Sequence, residues 1–432
     1  MIPDMTARLI IWASGLVLWC AATATLTDSV DIRIDEKTSI PVERFAAPGD
    51  VLLLWLPSEY GMTTTHAAVG AHLAGQGIEV WNADLFAADF TPPSSSALAA
   101  IADTVVVRLI DSAYAQTNKR VYLISNDQGA ALLLRGARQW QLQHADSKAL
   151  GGAIMISPNL LTHTPDAGQD AEYLPVAAAT NLPLFILQPA LAVGYWRLPE
   201  LVAQLERGGS SVYARRLPDV RDRFFFRLDA TATEARLTER LPSLLRNAID
   251  LLTRDPHARR AATIASTPPP PTAAREERHL RDYHGDPQPW PLALRDRAGK
   301  QRTLTQAHGK VVLLNFWASW CPPCVQEMPA MLQLKARWRG QPFEILAVNM
   351  AESKATIDAF MRQHQLDFTV LLDNDGRALR QWKVMAFPTS FVLDKHGHIR
   401  YAVFGAIDWQ EPDTLQKLQL LLQEPMSPAS AN

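Results

Sequence analysis

The sequence predicts an α/β protein of two domains, each built on a largely parallel sheet. Three observations carry this expectation. Short runs rich in apolar, β-branched and aromatic residues (51–56, 120–125, 311–316, 343–349) alternate with helix-length stretches, the pattern of βαβ units. A segment from 254 to 287, stiffened by Pro268-Pro-Pro-Pro271 and with little to bury, divides the chain as a semi-rigid linker. The apolar run 311–316 leads straight into Trp317-Ala-Ser-Trp-Cys321-Pro-Pro-Cys324, which sets two cysteines at a strand-to-helix junction. A length of 432 residues leaves room for two or three domains, and 47 % hydrophobic content describes ordinary globular material. The formal net charge of −2 and the lack of a basic run argue against a nucleic-acid partner.

Residues 1–24 read as an export signal. Arg8 and the amino terminus outweigh Asp4, an apolar stretch covers 9–22, and Ala22-Thr23-Ala24 offers a small-x-small cleavage site. That stretch is shorter than the roughly 20 residues that cross a bilayer; an uncleaved anchor is the alternative. Lipid attachment at Cys20 is disfavoured by the bulk of Trp19 before it. The chain beyond is then expected in the periplasm or an equivalent extracytoplasmic space.

The first domain, 30–253, opens on polar strands within 30–48. A buried strand 51–56, a helix 64–75 and a strand 78–81 follow. A single helix is expected over 95–114, then a strand 120–125, a helix 130–141, and strands at 153–157, 183–188 and 211–217. The second domain, 288–424, begins with a hairpin at 291–304 turned at Ala298-Gly299. The strand 311–316 and the cysteine helix come next, then a strand 343–349, a helix 354–364 and a strand 367–372. Asp373-Asn-Asp-Gly376 is turn chemistry and lacks the later acidic ligands of a calcium loop. Strands 390–394 and 399–404 and a helix 415–422 close the domain.

Cys321, at a helix N-terminus, meets unsatisfied backbone N–H groups and the positive end of the helix dipole, so its thiol should ionise below the free value of about 8.5. Cys324 stands one turn further on, within reach of a disulfide. An activated thiol beside a resolving one makes a reversible redox couple. A zinc site needs about four ligands, whereas the third cysteine is Cys20 and the nearest histidine in sequence is His308. Neither a metal nor a cofactor beyond the Cys321–Cys324 disulfide is expected. The W-x-x-W-C-P-P-C junction, Glu327-Met328-Pro329 after it, and Ala386-Phe387-Pro388-Thr389 before the strand 390–394 together resemble the TlpA/ResA-like branch of the thioredoxin superfamily. The resemblance implies that Pro388 is cis and faces the disulfide, and that Glu327 is a buried acid handling the proton of Cys324. It also implies that Trp320, Phe387 and Pro388 form an apolar rim for the partner's chain. Protein disulfides would be the substrates, a membrane thiol carrier the electron donor, and cytochrome c maturation one client process. Ala386 departs from the glycine frequent in this family.

The run 51–226 resembles the α/β-hydrolase fold in the order and spacing of its elements, with Ser125-Asn-Asp-Gln-Gly129 where the nucleophile elbow G-x-S-x-G would stand. Asp127 occupies the nucleophile position and is the candidate residue there. The segment 189–199 offers no carboxylate for a triad acid, and no histidine lies between His163 and His257. The expected role is therefore recognition without catalysis. A bifunctional protein with Asp127-dependent hydrolysis and a redox-linked adaptor are the alternatives.

Overall fold

The computed structural model describes residues 27–88, 90–145, 147–256, 261–262 and 279–426; the expected export signal and the tetraproline lie outside them. The first half contains β1 (Thr27–Arg33), β2 (Ser39–Phe45), β3 (Val51–Trp55), α1 (Thr64–Gly75) and β4 (Glu79–Ala83). There follow α2 (Ser95–Ala100), α3 (Asp103–Thr117), β5 (Arg120–Asn126), α4 (Gly129–Gln143) and β6 (Leu150–Ile156). Then come β7 (Leu184–Leu191), α5 (Gly194–Glu206), β8 (Val212–Arg221) and α6 (Ala232–Arg254). The eight strands form one sheet in the order β1-β2-β4-β3-β5-β6-β7-β8. It is antiparallel at β1/β2 and β2/β4 and parallel from β4 to β8.

A parallel sheet must be covered on both faces, and the side-chain period of two shows how this one is. Leu52 and Leu54 of β3 enter one core with Val106 and Leu109 of α3 and Leu133 of α4. Leu53 and Trp55 point the other way, to Val69 and Leu73 of α1 and Leu241 and Leu245 of α6. The single helix expected over 95–114 is broken into α2 and α3. Arg135 donates to the carbonyl of Ile101 and pairs with Asp103 at 2.8 Å, which fixes an extended residue at the junction. Helix α6 was not anticipated; a Thr231/Glu234 capping box starts it, and Arg221 grips the Glu234 carboxylate at 2.6 Å.

The second half contains β9 (Arg281–Asp282), β10 (Ala293–Asp296), β11 (Gln301–Thr303), β12 (Val311–Trp317) and α7 (Pro322–Arg337). It continues with β13 (Phe343–Met350), α8 (Lys354–Gln363), β14 (Thr369–Asp373), α9 (Arg377–Gln381), β15 (Thr389–Leu393), β16 (Ile399–Phe404) and α10 (Pro412–Gln423). Its sheet runs β11-β10-β14-β13-β12-β15-β16-β9, with β12 at the centre. The linker expected to reach 287 ends earlier: Arg281 and Asp282 pair with Ala402 and Tyr401 on the edge of β16, satisfying backbone groups that would otherwise stay open. The Asp373 turn serves the backbone, its carboxylate accepting from the N–H groups of Ala378 and Leu379 at the start of α9.

The two halves meet through α5 and the loop around Gly168. Ala167 belongs to the same apolar core as Leu314, Phe316 and Trp382, and Trp196 packs against it. Gly376, at φ 63°, lies so close to Trp196 that a Cβ there would sit 2.4 Å from the indole. Arg380 covers the same ring at 5.6 Å, and Lys383 pairs with Asp170 at 2.8 Å. That exposed pair contributes less than about 1 kcal/mol, so the aromatic contact is the stronger tie.

Candidate active site

Strand β12 is buried along its whole length and delivers the chain to the cysteine loop. Ser319 fixes that loop: its N–H donates to Glu352 at 2.7 Å and its hydroxyl to the other carboxylate oxygen, while Asn349 holds the same carboxylate at 2.7 Å. Cys321 is the N-cap of α7, with Pro322 at the first helical position, where a missing N–H costs nothing. Cys321 and Cys324 are joined in a disulfide, and the Cys324 N–H points at Cys321 Sγ over 3.3 Å. Cys324 is fully buried, whereas Cys321 borders a cavity.

Glu327 lies one turn beyond Cys324 and is 4 % exposed. Asn315 donates to its Oε1 at 2.8 Å and the Trp409 indole to its Oε2 at 3.2 Å. These bonds favour the charged carboxylate, but burial outweighs them and pushes the group up to about 7. Asn315 also reaches Ser390 Oγ at 2.9 Å, so β12, α7, β15 and the chain before α10 converge on this acid. The Phe387–Pro388 bond is cis. Trp320 and Phe387 meet at 5.9 Å, edge to face, and both line the cavity beside Cys321; Pro388 is not among its lining residues.

Asp127 occupies the turn between β5 and α4 in the left-handed region, at φ 46°. Gly129 permits that turn, because a Cβ there would sit 2.1 Å from Ser125 Oγ and 2.5 Å from the Pro57 carbonyl. The backbone here is a tight strand-to-helix turn with a left-handed residue at its apex, and the chemistry around it is not that of a nucleophile. Burial, reinforced by the charge of Glu59, pushes Asp127 up to about 8, so it is largely neutral at pH 7. Glu59 also accepts from the Gln128 N–H at 3.1 Å. In an elbow, the N–H after the nucleophile is an oxyanion donor; here a carboxylate of the chain itself occupies it. Where a triad histidine would follow β8, Asp222 and Arg223 stand instead, and both line the same cavity as Asp127. His66 serves α1, its Nδ1 accepting from the Thr63 N–H at 3.0 Å.

The two motifs that read as separate sites therefore open on one cavity of about 470 Å³ between the domains. Asp127, Tyr173 and Arg197 contribute from one side, Trp320, Cys321 and Met385 from the other. Sequence reasoning missed Arg197, Tyr173 and Met385, and nothing local marks them. It also missed Asn315, whose signal was present: a lone polar residue in an otherwise apolar buried strand.

Residues 285–402 match the model of the AhpC/TSA family. The thiol-disulfide oxidoreductase ResA of Geobacillus thermodenitrificans is 38 % identical over 116 residues, which are 27 % of this chain and 67 % of the relative. The chain belongs to this family of thioredoxin-fold thiol-disulfide oxidoreductases. Other members stand at similar distance. ResA of Bacillus subtilis is 38 % identical over 27 % of this chain and 65 % of its own, and the thioredoxin-like protein YneN of the same organism is 37 % identical over 30 % and 75 %. Among solved structures, a candidate thiol:disulfide interchange protein DsbE of Chlorobium tepidum is 33 % identical, covering 33 % of this chain and 99 % of its own at a TM-score of 0.30. The match to the family model and the identity with these curated relatives bear out the expected thioredoxin-like C-terminal domain and its oxidoreductase class.

Proposed function

We propose that this chain is an exported reductase of protein disulfides in which Cys321 attacks and Cys324 resolves. The asymmetry between the two sulfurs carries the reading: Cys321 opens on the cavity from a helix N-terminus, and Cys324 is sealed in the core. In the reduced enzyme, Cys321 thiolate attacks one sulfur of the client disulfide, breaking it and releasing the other as a thiolate. Cys324 then attacks Cys321 Sγ, the second client thiolate leaves, and two electrons have passed from dithiol to disulfide. Glu327, which burial pushes up to about 7, takes the Cys324 proton in its ionised form as that thiol becomes the nucleophile. Trp320, Phe387 and Pro388 bear on the client's extended chain. A membrane thiol carrier re-reduces the pair, and cytochrome c maturation is a client process that fits the family.

The N-terminal domain acts in recognition: its wall of the cavity faces Cys321, and its elbow lacks both an ionised nucleophile and a free oxyanion donor. Export rests on the sequence of residues 1–24. Among the described residues no helix is long and apolar enough to cross a membrane. The test is a Cys324→Ala variant produced with its own N-terminus and recovered from the periplasm under acid quench. Mixed disulfides through Cys321 that dissolve on reduction are expected; a chain that traps none, while Cys321 remains alkylatable, overturns the proposal.

A further inference from the structure

The wall facing Cys321 carries three arginines, Arg197, Arg223 and Arg227. All three hold a carboxylate, and among the described residues Arg223 and Arg227 keep no buried nitrogen without a partner. Arg223 pairs with Asp222 at 3.0 Å and covers the Tyr60 ring, and Arg227 pairs with Asp229 at 2.9 Å and with Asp222 at 3.5 Å. Arg197, in the first turn of α5, is different. Its Nη1 donates to both Glu200 oxygens, at 2.7 and 2.9 Å, while Nε and Nη2 are buried and have no partner among the described residues. Unpaired buried donors on a cation are costly to keep. The edge they form is the one that takes a carboxylate side-on through two parallel hydrogen bonds.

The rest of the cavity agrees with an anionic guest. Of its two carboxyl groups, Asp222 is already held by Arg223 and Arg227, and Asp127 is held by Asn126 at 3.0 Å in a buried setting that keeps it largely protonated. Across from them stand Cys321, Pro322 and Pro323, at the positive end of α7. The remaining lining is largely apolar, including Leu160, Leu201, Met385 and Phe387. A volume of about 470 Å³ holds a short peptide segment and not a folded surface.

We infer that this cavity selects disulfides flanked by a carboxylate, which Arg197 takes side-on while the disulfide faces Cys321 Sγ. The inference rests on the thiol-disulfide reading and names its substrate class. The carboxylate comes either from an acidic residue beside a cysteine in a protein or from a small thiol peptide. The exchange is the two-step transfer written above, with an external dithiol restoring the pair.

The experiment uses the full chain, pre-reduced with dithiothreitol, and two matched disulfide dimers, of acetyl-Gly-Glu-Cys-Gly-amide and acetyl-Gly-Gln-Cys-Gly-amide. A charge-assisted bond made only by the acid should favour it about tenfold in kcat/KM. Arg197→Gln should bring that ratio towards one. The comparison of peptides on the wild type needs no variant, so a folding defect in Arg197→Gln leaves the test intact. Equal turnover of the two peptides overturns the carboxylate preference and leaves the reductase standing; no turnover of either overturns both. Glutathione disulfide and an unfolded protein bearing a Glu-Cys disulfide, run side by side, assign an acid preference to its source. A small thiol is assigned if the first is reduced faster, a protein segment if the second is.

Discussion

Replacing Glu327 by glutamine should change how stability depends on pH, by an amount the structure sets. The carboxyl moves from an ordinary 4.5 to about 7 in the folded chain because it is buried. Between those values the folded protein holds a proton that the unfolded chain has released. Stability therefore falls as pH rises through this window and is flat above it. Roughly two and a half pH units, at about 1.4 kcal/mol each, give about 3 kcal/mol. The glutamine would have no proton to lose, so that slope disappears. The variant carries a separate, pH-independent cost of about 1–3 kcal/mol, because its amide oxygen can accept from only one of the two donors, Asn315 Nδ2 and the Trp409 indole, and its N–H₂ would confront the other. The variant should thus be the less stable protein at pH 5 and gain about 2.5 kcal/mol on the wild type by pH 8, since part of the window lies below pH 5. Urea unfolding of both oxidised proteins at matched pH values between 5 and 8 reads the difference directly, since every other titrating group cancels. A difference constant across that range would refute the buried-acid reasoning, and Glu327 would then be a packing residue.

Four further outcomes are expected. In the reduced chain, Cys321 should alkylate faster than Cys324 below about pH 8, and Cys321→Ser should abolish insulin reduction; faster labelling of Cys324 would reverse the assigned roles. No ester, epoxide or haloalkane should be turned over by the wild type or by Asp127→Asn, and saturable hydrolysis lost in that variant would make the chain bifunctional. Gly376→Ala should lower the melting temperature, since a left-handed alanine costs about 1–2 kcal/mol before the clash with Trp196 is added. That loss should shrink in a Trp196→Ala background, and strict additivity of the two changes would mean they do not touch. The mature protein should begin near Thr25 outside the cytoplasm, and a cytoplasmic chain with Met1 intact would contradict export.

What could be read from the sequence was what is local. The C-P-P-C junction announces itself because a buried strand, a helix start and two thiols occupy consecutive residues. The pairs that tune the site are not local. Glu327 meets Trp409 across 82 positions, and Gln128 meets Glu59 across 69. No periodicity encodes such meetings; only the closed fold does. The split of the 95–114 helix followed the same logic, because Arg135, which stabilises the break, lies a helix away. Strand β9 escaped notice for a different reason: two residues carry no pattern, and only the open edge of β16 makes them a strand.

Glu59 gives the N-terminal domain a definite standing as a scaffold for engineering. Exchanging Asp127 for serine would place a hydroxyl at a tight strand-to-helix turn, yet any tetrahedral oxyanion built there would be repelled by the carboxylate already seated on the Gln128 N–H. The order of changes is therefore dictated. Glu59 must be shortened first to vacate the donor, and a histidine must be supplied after β8 in place of Asp222 or Arg223. Only then does a nucleophile at 127 have anything to work with.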